Sequence, residues 1–233
     1  MEYSLSLVVP IYNEEENIEK LISDFKSFFS DFAWRYEIIF VDDGSSDRSR
    51  EIILDRKTEN MRLVSHRENR GYGEALKTGF RESKNGLIAY IDGDNQFNIE
   101  SLDKLLKFID NYDMIIGRRK VRNDDFGRQI ISKGFNSLVR KFLDINFEDV
   151  DCGLKIFKRE VFEQIELKTK RTVDAELLAK ASKKDFHIKQ IKVDHFSRDK
   201  GESEAKGLLG VRIGLIFITL KEIKSIHGDL KNG

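Results

Sequence analysis

Residues 86–97 read GLIAYIDGDNQF, with Leu87, Ile88, Tyr90 and Ile91 standing around Ala89 in an apolar run short enough to be one buried strand. The run ends abruptly in Asp92-Gly93-Asp94-Asn95-Gln96. Two carboxylates separated by a glycine at the end of an interior strand are costly unless something positive meets them. A divalent cation carrying a phosphate is one such partner, because carboxylate and amide oxygens are hard ligands that suit Mg2+ or Mn2+. Capping the next helix, IESLDKLLKFI at residues 99–109, is the other use such a loop has. The neighbouring stretches decide between the two.

Upstream, residues 4–9 (SLSLVV) form a strand ended by Pro10, followed by Tyr12-Asn13-Glu14. A helix then carries Ile18, Leu21, Ile22, Phe25, Phe28, Phe29 and Phe32 at helical spacing, a core-facing stripe. Residues 37–41 (EIIFV) are a second strand running into Asp42-Asp43-Gly44-Ser45-Ser46-Asp47, and a helix follows through Ile52, Ile53 and Leu54. Residues 61–64 make a third strand, leading through HRENRGYG to a helix with Ala75, Leu76 and Phe80. After the fourth strand, residues 113–117 (DMIIG) are a fifth, ending in Arg118-Arg119-Lys120. Strands alternating with helices predict βαβ units, a mostly parallel sheet and right-handed crossovers. Ligands in such sheets bind beyond the carboxyl ends of the strands. Four polar clusters, YNE, DDGSSD, DGDNQ and GRRK, follow directly on apolar strands, so acidic and basic groups gather on one edge.

Beyond Lys120 the pattern changes. A helix is expected from about Arg128, with Ile131, Phe135, Leu138 and Phe142, then a loop and strand over residues 147–157. Residues 172–183 read as a helix with Asp174 and Glu176 near its start, and residues 188–193 as a last strand. Two other α/β readings fail on the residues. A dinucleotide fingerprint at Gly71-Tyr72-Gly73 needs a third glycine where Leu76 stands and an apolar strand where SHREN stands. A sugar-nucleotide pyrophosphorylase would open with a Gly-rich basic loop after the first strand, where this chain has PIYNEEEN.

Composition narrows the class. The 233 residues suit one domain or one domain with an appendage. Lys+Arg and Asp+Glu balance at 41 each, so no global field favours nucleic acid. The single Cys152 excludes an intramolecular disulfide and points to a reducing, cytoplasmic compartment. There is neither a basic leader with a cleavage site nor an apolar run of the ~20 residues a spanning helix needs. Cys152 lacks a histidine pattern for a nucleophile, and His66, His187, His195 and His227 lack metal-ligand spacing. They read as packed or surface groups.

The pieces VVPIYNEEENI, FVDDGSSDRS, ENRGYGEALKTGF, YIDGDNQF, IIGRR, GRQIISKGFN, DVDCGLKIFKREVF, VDAELL and SRDKGES span positions 8–203. Together they resemble the family 2 inverting glycosyltransferases of the GT-A fold, and among them the dolichol-phosphate mannose and glucose synthases. The resemblance implies a mostly parallel central sheet flanked by helices. It also implies a metal-dependent hexosyltransferase using Mg2+ or Mn2+ to move a sugar from a GDP-mannose- or UDP-glucose-type donor to a polyprenyl phosphate. By the same resemblance Pro10, Tyr12, Glu14, Val41 and Asp43 hold the nucleotide base and ribose. Asp92, Gly93 and Asp94 face ribose and diphosphate, with Asp94 and Gln96 on the metal. Arg119 and Arg198 neutralise phosphate and, with Asp94, form the catalytic set, while Arg128 and Ser132 take the acceptor phosphate; Arg118, read from its place beside Arg119, is assigned to the acceptor side with them. The chain departs from the family in three places. Arg118 stands where Ser is usual, the segment from Arg119 to Arg128 is short, and Asp151 replaces a small polar or amide residue.

The chemistry agrees from the residues upward. Displacing a nucleoside diphosphate from an anomeric carbon requires stabilising a departing anion, which a divalent cation and the planar fork of Arg both do. A phosphate acceptor is already ionised and needs cationic positioning, for which Arg118, Arg119, Lys120, Arg122 and Arg128 lie together. A hydroxyl acceptor would need a carboxylate base, with Asp149, Asp151 and Asp174 as candidates. A non-catalytic sugar-nucleotide or lipid-binding module is the third reading. The expected organisation is a transferase domain over residues 1–206 and a C-terminal amphipathic helix and tail over residues 207–233. That helix places Leu209, Ile213, Ile216, Leu220 and Ile223 at helical spacing between Lys206, Arg212, Lys221 and Lys224. The pattern serves equally a helix packed on the sheet or one lying on the cytoplasmic face of a membrane or on a membrane partner subunit.

Overall fold

The computed structural model describes residues 3–120, 134, 137, 139–197 and 209–232, with side chains in the last segment from 218 to 231. In chain order the elements are β1 (Ser4–Ile11), α1 (Glu15–Phe29), β2 (Arg35–Asp42), α2 (Ser49–Arg56), β3 (Met61–Ser65), α3 (Tyr72–Glu82) and β4 (Leu87–Ile91). There follow α4 (Ser101–Leu106), β5 (Met114–Arg119), β6 (Leu154–Lys158), α5 (Arg159–Glu163), α6 (Val173–Lys183), β7 (Ile188–Val193) and α7 (Leu209–Asn232).

The strands form one seven-stranded sheet in the order β3-β2-β1-β4-β6-β5-β7. All neighbours are parallel except β6, which runs antiparallel to both β4 and β5. The chain winds outward from β1 through β2 to β3, then crosses back to place β4 on the other flank of β1. That reversal opens a crevice beyond the carboxyl ends of β1 and β4, where an α/β sheet binds its ligands. The loops YNE and DGDNQ leave from those two ends.

Alternation along the strands sorts the core into two layers. From β1, Leu5, Leu7, Val9 and Ile11 join Ile18, Leu21, Ile22, Phe25 and Phe29 of α1 on one face. Val8 turns to the other face with Ile88, Tyr90, Phe157, the α3 residues Ala75, Leu76 and Phe80, and α6. Helices on both faces explain why β4 is buried at every position and reads as an unbroken apolar run. Gly79 is needed here for contact, because a Cβ would stand 2.1 Å from a methyl carbon of Val8.

The observed bounds refine the expected ones. Arg118 and Arg119 are the last residues of β5 itself, in register with Lys192 and Val193 of β7, and do not belong to the loop after it. Of the helix expected from Arg128, residues 128–133, 135, 136 and 138 lie outside the described residues, while 139–143 are helical. There Val139 and Leu143 are buried and Phe142 is exposed. In α7, Ile223 and Ile226 are buried in the second core layer and Leu230 packs against it, whereas Ile218 and Leu220 are exposed. Among the described residues no helix is long and apolar enough to cross a membrane.

Candidate active site

The first wall of the crevice is two loops tied to each other. After β1, Asn13 takes a left-handed conformation, φ 52°, and its Oδ1 accepts the amide of Ser46 at 2.8 Å. In return Ser45 Oγ accepts the amide of Asn13, Ser49 Oγ that of Glu14, and Asp47 Oδ2 that of Glu15. Glu15 closes the exchange by accepting the amide of Arg48. Asp47 also accepts the amide of Ser49 through Oδ1, at the first residue of α2. Pro10 and Val41 are register partners at the strand ends, and the Val41 side chain is buried in the core layer with Val8 and Leu76. Tyr12 and Glu14 are half-buried at the rim, and Glu14 Oε2 accepts Asn17 Nδ2 at 2.6 Å.

Asp43 is buried and holds the loop between β3 and α3. Its carboxylate accepts the amides of Arg70 at 3.0 Å and Gly71 at 2.7 Å, and lies 2.6 Å from His66 Nδ1. His66 Nε2 in turn meets Thr78 Oγ1 at 3.0 Å, so His66 is a packed structural group. Gly71, φ 97°, lets the chain turn from this anchor into α3.

The DGDNQ loop forms the second wall. Gly93 is required by proximity, since a Cβ would stand 2.8 Å from the Pro10 carbonyl oxygen and 2.4 Å from Ile11. Gly153 makes room in the same way for the Asp92 carboxylate, which a Cβ there would overlap at 1.7 Å, and its carbonyl accepts the Asp92 amide at 3.1 Å. Asp92 Oδ1 accepts the hydroxyl of Tyr72 at 2.9 Å. Asp94 Oδ1 accepts the amide of Gln96, and Asn95, φ 59°, reaches back to the Asn17 carbonyl. Gln96 exchanges two hydrogen bonds with the backbone of Phe196, which fixes the segment after β7 against this loop.

The third wall contains buried ion pairs. Arg119 donates through Nε and Nη2 to both oxygens of Asp149 at 2.8 and 2.7 Å, and Nη2 also reaches the Asp151 carbonyl. Burial opposes its charge, but the Asp149 carboxylate overrides this and raises the pKa of Arg119. Arg118 pairs with exposed Glu148. Lys155, fully buried in β6, donates to Asp174 at 2.5 Å and to the Cys152 carbonyl at 2.6 Å. Its ammonium also lies 5.2 Å from the centre of the Tyr90 ring, and the Tyr90 hydroxyl donates to the same Asp174. Burial pushes the Cys152 thiol up to about 12, which removes it as a nucleophile.

Burial, Asp94 and Asp174 push Asp92 up to about 8, and burial with Asp174 pushes Asp151 up to about 7. Lys155 is the cation that opposes both shifts. Asp92 and Asp94 stand two residues apart on this loop, and their hard carboxylate oxygens are of the kind that suit Mg2+ or Mn2+. Among the described residues no group of three or more His, Cys, Asp or Glu encloses a cation by itself.

The structure therefore brings Pro10, Tyr12, Glu14, Val41, Asp43, Asp92, Gly93, Asp94, Gln96, Arg118 and Arg119 to one edge of the sheet. Arg128, Ser132 and Arg198 lie outside the described residues. Tyr72 and Lys155 escaped the sequence reading. The signal for Lys155 was a charge inside the apolar strand LKIFK, opposite Tyr90 in register. Tyr72 was visible only as the residue between two glycines. A cavity of about 400 Å3 beside Trp34, Arg35, Arg62 and Lys84 lies at the opposite edge, and Arg62 there is bound to Glu37 and Glu82.

The chain is 30% identical over 204 residues to the undecaprenyl-phosphate 4-deoxy-4-formamido-L-arabinose transferase of Aeromonas hydrophila. It is 32% identical over 207 residues to the transferase of the same description from Photorhabdus laumondii. Each match takes in 86% of this chain and 62% of the relative, so the chain spans about three fifths of the length of these curated relatives. Glucosyl-3-phosphoglycerate synthase from Mycobacterium tuberculosis, crystallised with Mn2+, UDP and its product, superimposes with a TM-score of 0.73 at 20% identity. That match covers 95% of this chain and 80% of the other. The same enzyme with Mg2+ and UDP gives 0.71 at 18% identity, over 95% of this chain and 79% of the other. These likenesses show the GT-A fold. Residues 6–166 match the family described as Glycosyl transferase family 2, and with that match over most of the sheet the chain belongs to this family.

Proposed function

We propose that this chain transfers a glycosyl group, with inversion, from a nucleotide sugar to a polyprenyl phosphate. The observation that carries the acceptor assignment is the state of two candidate bases. Asp149 is clamped by Arg119 and Asp174 by Lys155, so neither is poised to take a proton from a hydroxyl. An acceptor that arrives ionised has no need of one. The names of the relatives, undecaprenyl-phosphate sugar transferases, support the same acceptor class.

In this reading the Pro10–Glu14 loop and Asp43 form the base and ribose side, and Asp92, Gly93 and Asp94 meet ribose and diphosphate. Asp94 and Gln96 would hold a Mg2+ or Mn2+ ion, which when bound supplies positive charge to the departing nucleoside diphosphate. Arg119, placed by Asp149, and Arg198 would add cationic donors to the same phosphates. Arg118, Arg128 and Ser132 would receive the acceptor phosphate. A hexose of the GDP-mannose or UDP-glucose type is the donor the family resemblance favours, and the relatives' 4-deoxy-4-formamido-L-arabinose extends the set to be tried. The reaction would take place at the cytoplasmic face of a membrane, reached through the surface that exposes Phe142, Ile218 and Leu220 or through a partner subunit.

One observation favours a second reading. Asp151, pushed up to about 7, has the proton affinity of a general base for a hydroxyl acceptor. The deciding experiment incubates the chain with Mn2+ and a panel of nucleotide sugars, and measures released nucleoside diphosphate with and without undecaprenyl phosphate. Release only with the lipid phosphate supports the proposal. Release with a saccharide acceptor, abolished by Asp151→Asn, supports the second reading. Binding without release under either condition overturns both.

A further inference from the structure

We propose that Glu222, on the C-terminal helix and beyond the family-matched residues 6–166, is a positioning residue for the donor loop. It acts through the turn before α6, then Gly73 and Tyr72, on Asp92. The inference rests on the donor reading only in making Asp92 a donor-site residue. The contacts themselves are properties of the fold.

The Glu222 carboxylate accepts four hydrogen bonds from one turn. The amides of Lys170, Arg171 and Thr172 donate at 3.1, 3.2 and 3.0 Å, and Thr172 Oγ1 at 2.9 Å. Thr172 is the N-cap of α6 and Lys170 and Arg171 come just before it, where a negative group is also favoured by the helix dipole. The chain thus supplies its own anion to that helix end from 50 residues away. Glu176 holds the preceding part of the turn, accepting the amides of Lys168 and Thr169. With the amides of 168–172 fixed from both sides, the Lys170 carbonyl is held against α3.

The next contact has no slack. Gly73 donates its amide to the Lys170 carbonyl at 3.0 Å, and a Cβ on Gly73 would stand 2.4 Å from that oxygen. Backbone therefore rests on backbone, and a shift of the turn moves the first residues of α3. Tyr72 is the first of them. On its other side Arg70 and Gly71 are anchored on Asp43, so residues 70–73 are suspended between Asp43 and Lys170. From the middle of that span the Tyr72 hydroxyl donates to Asp92 Oδ1. With the Asp92 amide held by the Gly153 carbonyl, the hydrogen bond from Tyr72 is what holds the Asp92 carboxylate in place.

The test uses the whole chain with Glu222→Gln, Glu222→Ala, Tyr72→Phe, the double variant Glu222→Ala/Tyr72→Phe, and Ile226→Ala. Ile226 is buried on the same helix and touches none of these bonds, so its variant reports generic loosening. Amide hydrogen exchange on the ligand-free chain should rise at residues 71–76 in Glu222→Ala, less in Glu222→Gln, and stay unchanged in Ile226→Ala. Titration with UDP and with GDP in the presence of Mn2+ should show Tyr72→Phe and Glu222→Ala each weakened about tenfold, the loss expected for a hydrogen bond to a charged group. The double variant should be no weaker than Tyr72→Phe alone, because both changes remove the same restraint. Unchanged exchange at 71–76, strictly additive losses, or the same pattern from Ile226→Ala would overturn the proposal. If the unaltered chain binds neither nucleotide, the donor reading falls and the exchange data decide the positioning role alone.

Discussion

The two halves of the functional edge are held by different forces. Around β1, β2 and β4 the loops are joined by hydrogen bonds between side chains and backbone amides, as in the exchange among Asn13, Ser45 and Ser46. Around β5 and β6 the groups are held by buried ion pairs, Arg119 with Asp149 and Lys155 with Asp174. Both arrangements fix side chains on a rigid sheet, but they respond differently to damage. A lost neutral hydrogen bond costs about 1 kcal/mol, whereas half of a buried ion pair leaves a charge with no solvent. The first half can therefore carry reactive carboxylates on loops that are individually replaceable. The second half cannot lose a member without losing stability.

The largest expected effect tests the functional side of that contrast. Asp94→Ala should lower turnover by a factor of roughly 10³ or more, since it removes the carboxylate assigned to the metal and leaving group. Its thermal melt should move little, because Asp94 is half-buried at a loop. Chelator should reproduce the loss in the unaltered chain, and Mn2+ or Mg2+ should reverse it there only. Full turnover in excess chelator would remove the metal from the assignment.

Next in size is the structural side. Lys155→Ala leaves Asp174 buried without its cation and should cost about 3–5 kcal/mol in urea unfolding. Replacing both members, Lys155→Met with Asp174→Leu, should recover much of that loss, because an apolar pair of similar volume avoids the desolvation cost. Catalytic loss that persists in the restabilised double variant would show that the pair also orders the site. A loss below about 1 kcal/mol in Lys155→Ala would mean that the two halves are not so different.

This contrast also explains what could be read before the fold was seen. All seven strands are legible, most of them as short apolar runs bounded by polar residues and β7 by its spaced isoleucines and valine, and the mostly parallel pairing follows from alternation with helices. The loops of the first half were legible because YNE, DDGSSD and DGDNQ each lie within a few residues of their strand. The ion pairs were not, because Arg119 meets Asp149 across 30 positions and Lys155 meets Asp174 across 19. Composition says that such charges exist, and only the fold says which of them meet. The reversed β6 was likewise hidden, because strand direction leaves no trace in the apolar pattern of LKIFK.

The smallest effect probes a single tie in the first half. Asn13 has two separate reasons for its identity, the hydrogen bond from the Ser46 amide and a backbone at φ 52°. Asn13→Gly removes the side-chain acceptor but relieves the backbone, so it should cost about 1 kcal/mol. Asn13→Ala removes the acceptor and keeps a Cβ in the left-handed region without the tolerance Asn has for it, adding a further 1 kcal/mol or so. Both variants should keep the ion pairs of the second half, and their donor affinity should fall while the effect of Lys155→Ala on stability stays unchanged and additive. Equal losses for Gly and Ala would show that the hydrogen bond alone sets this residue. A loss near that of Lys155→Ala would show that the loops of the first half act as one cooperative unit, with each tie depending on the rest.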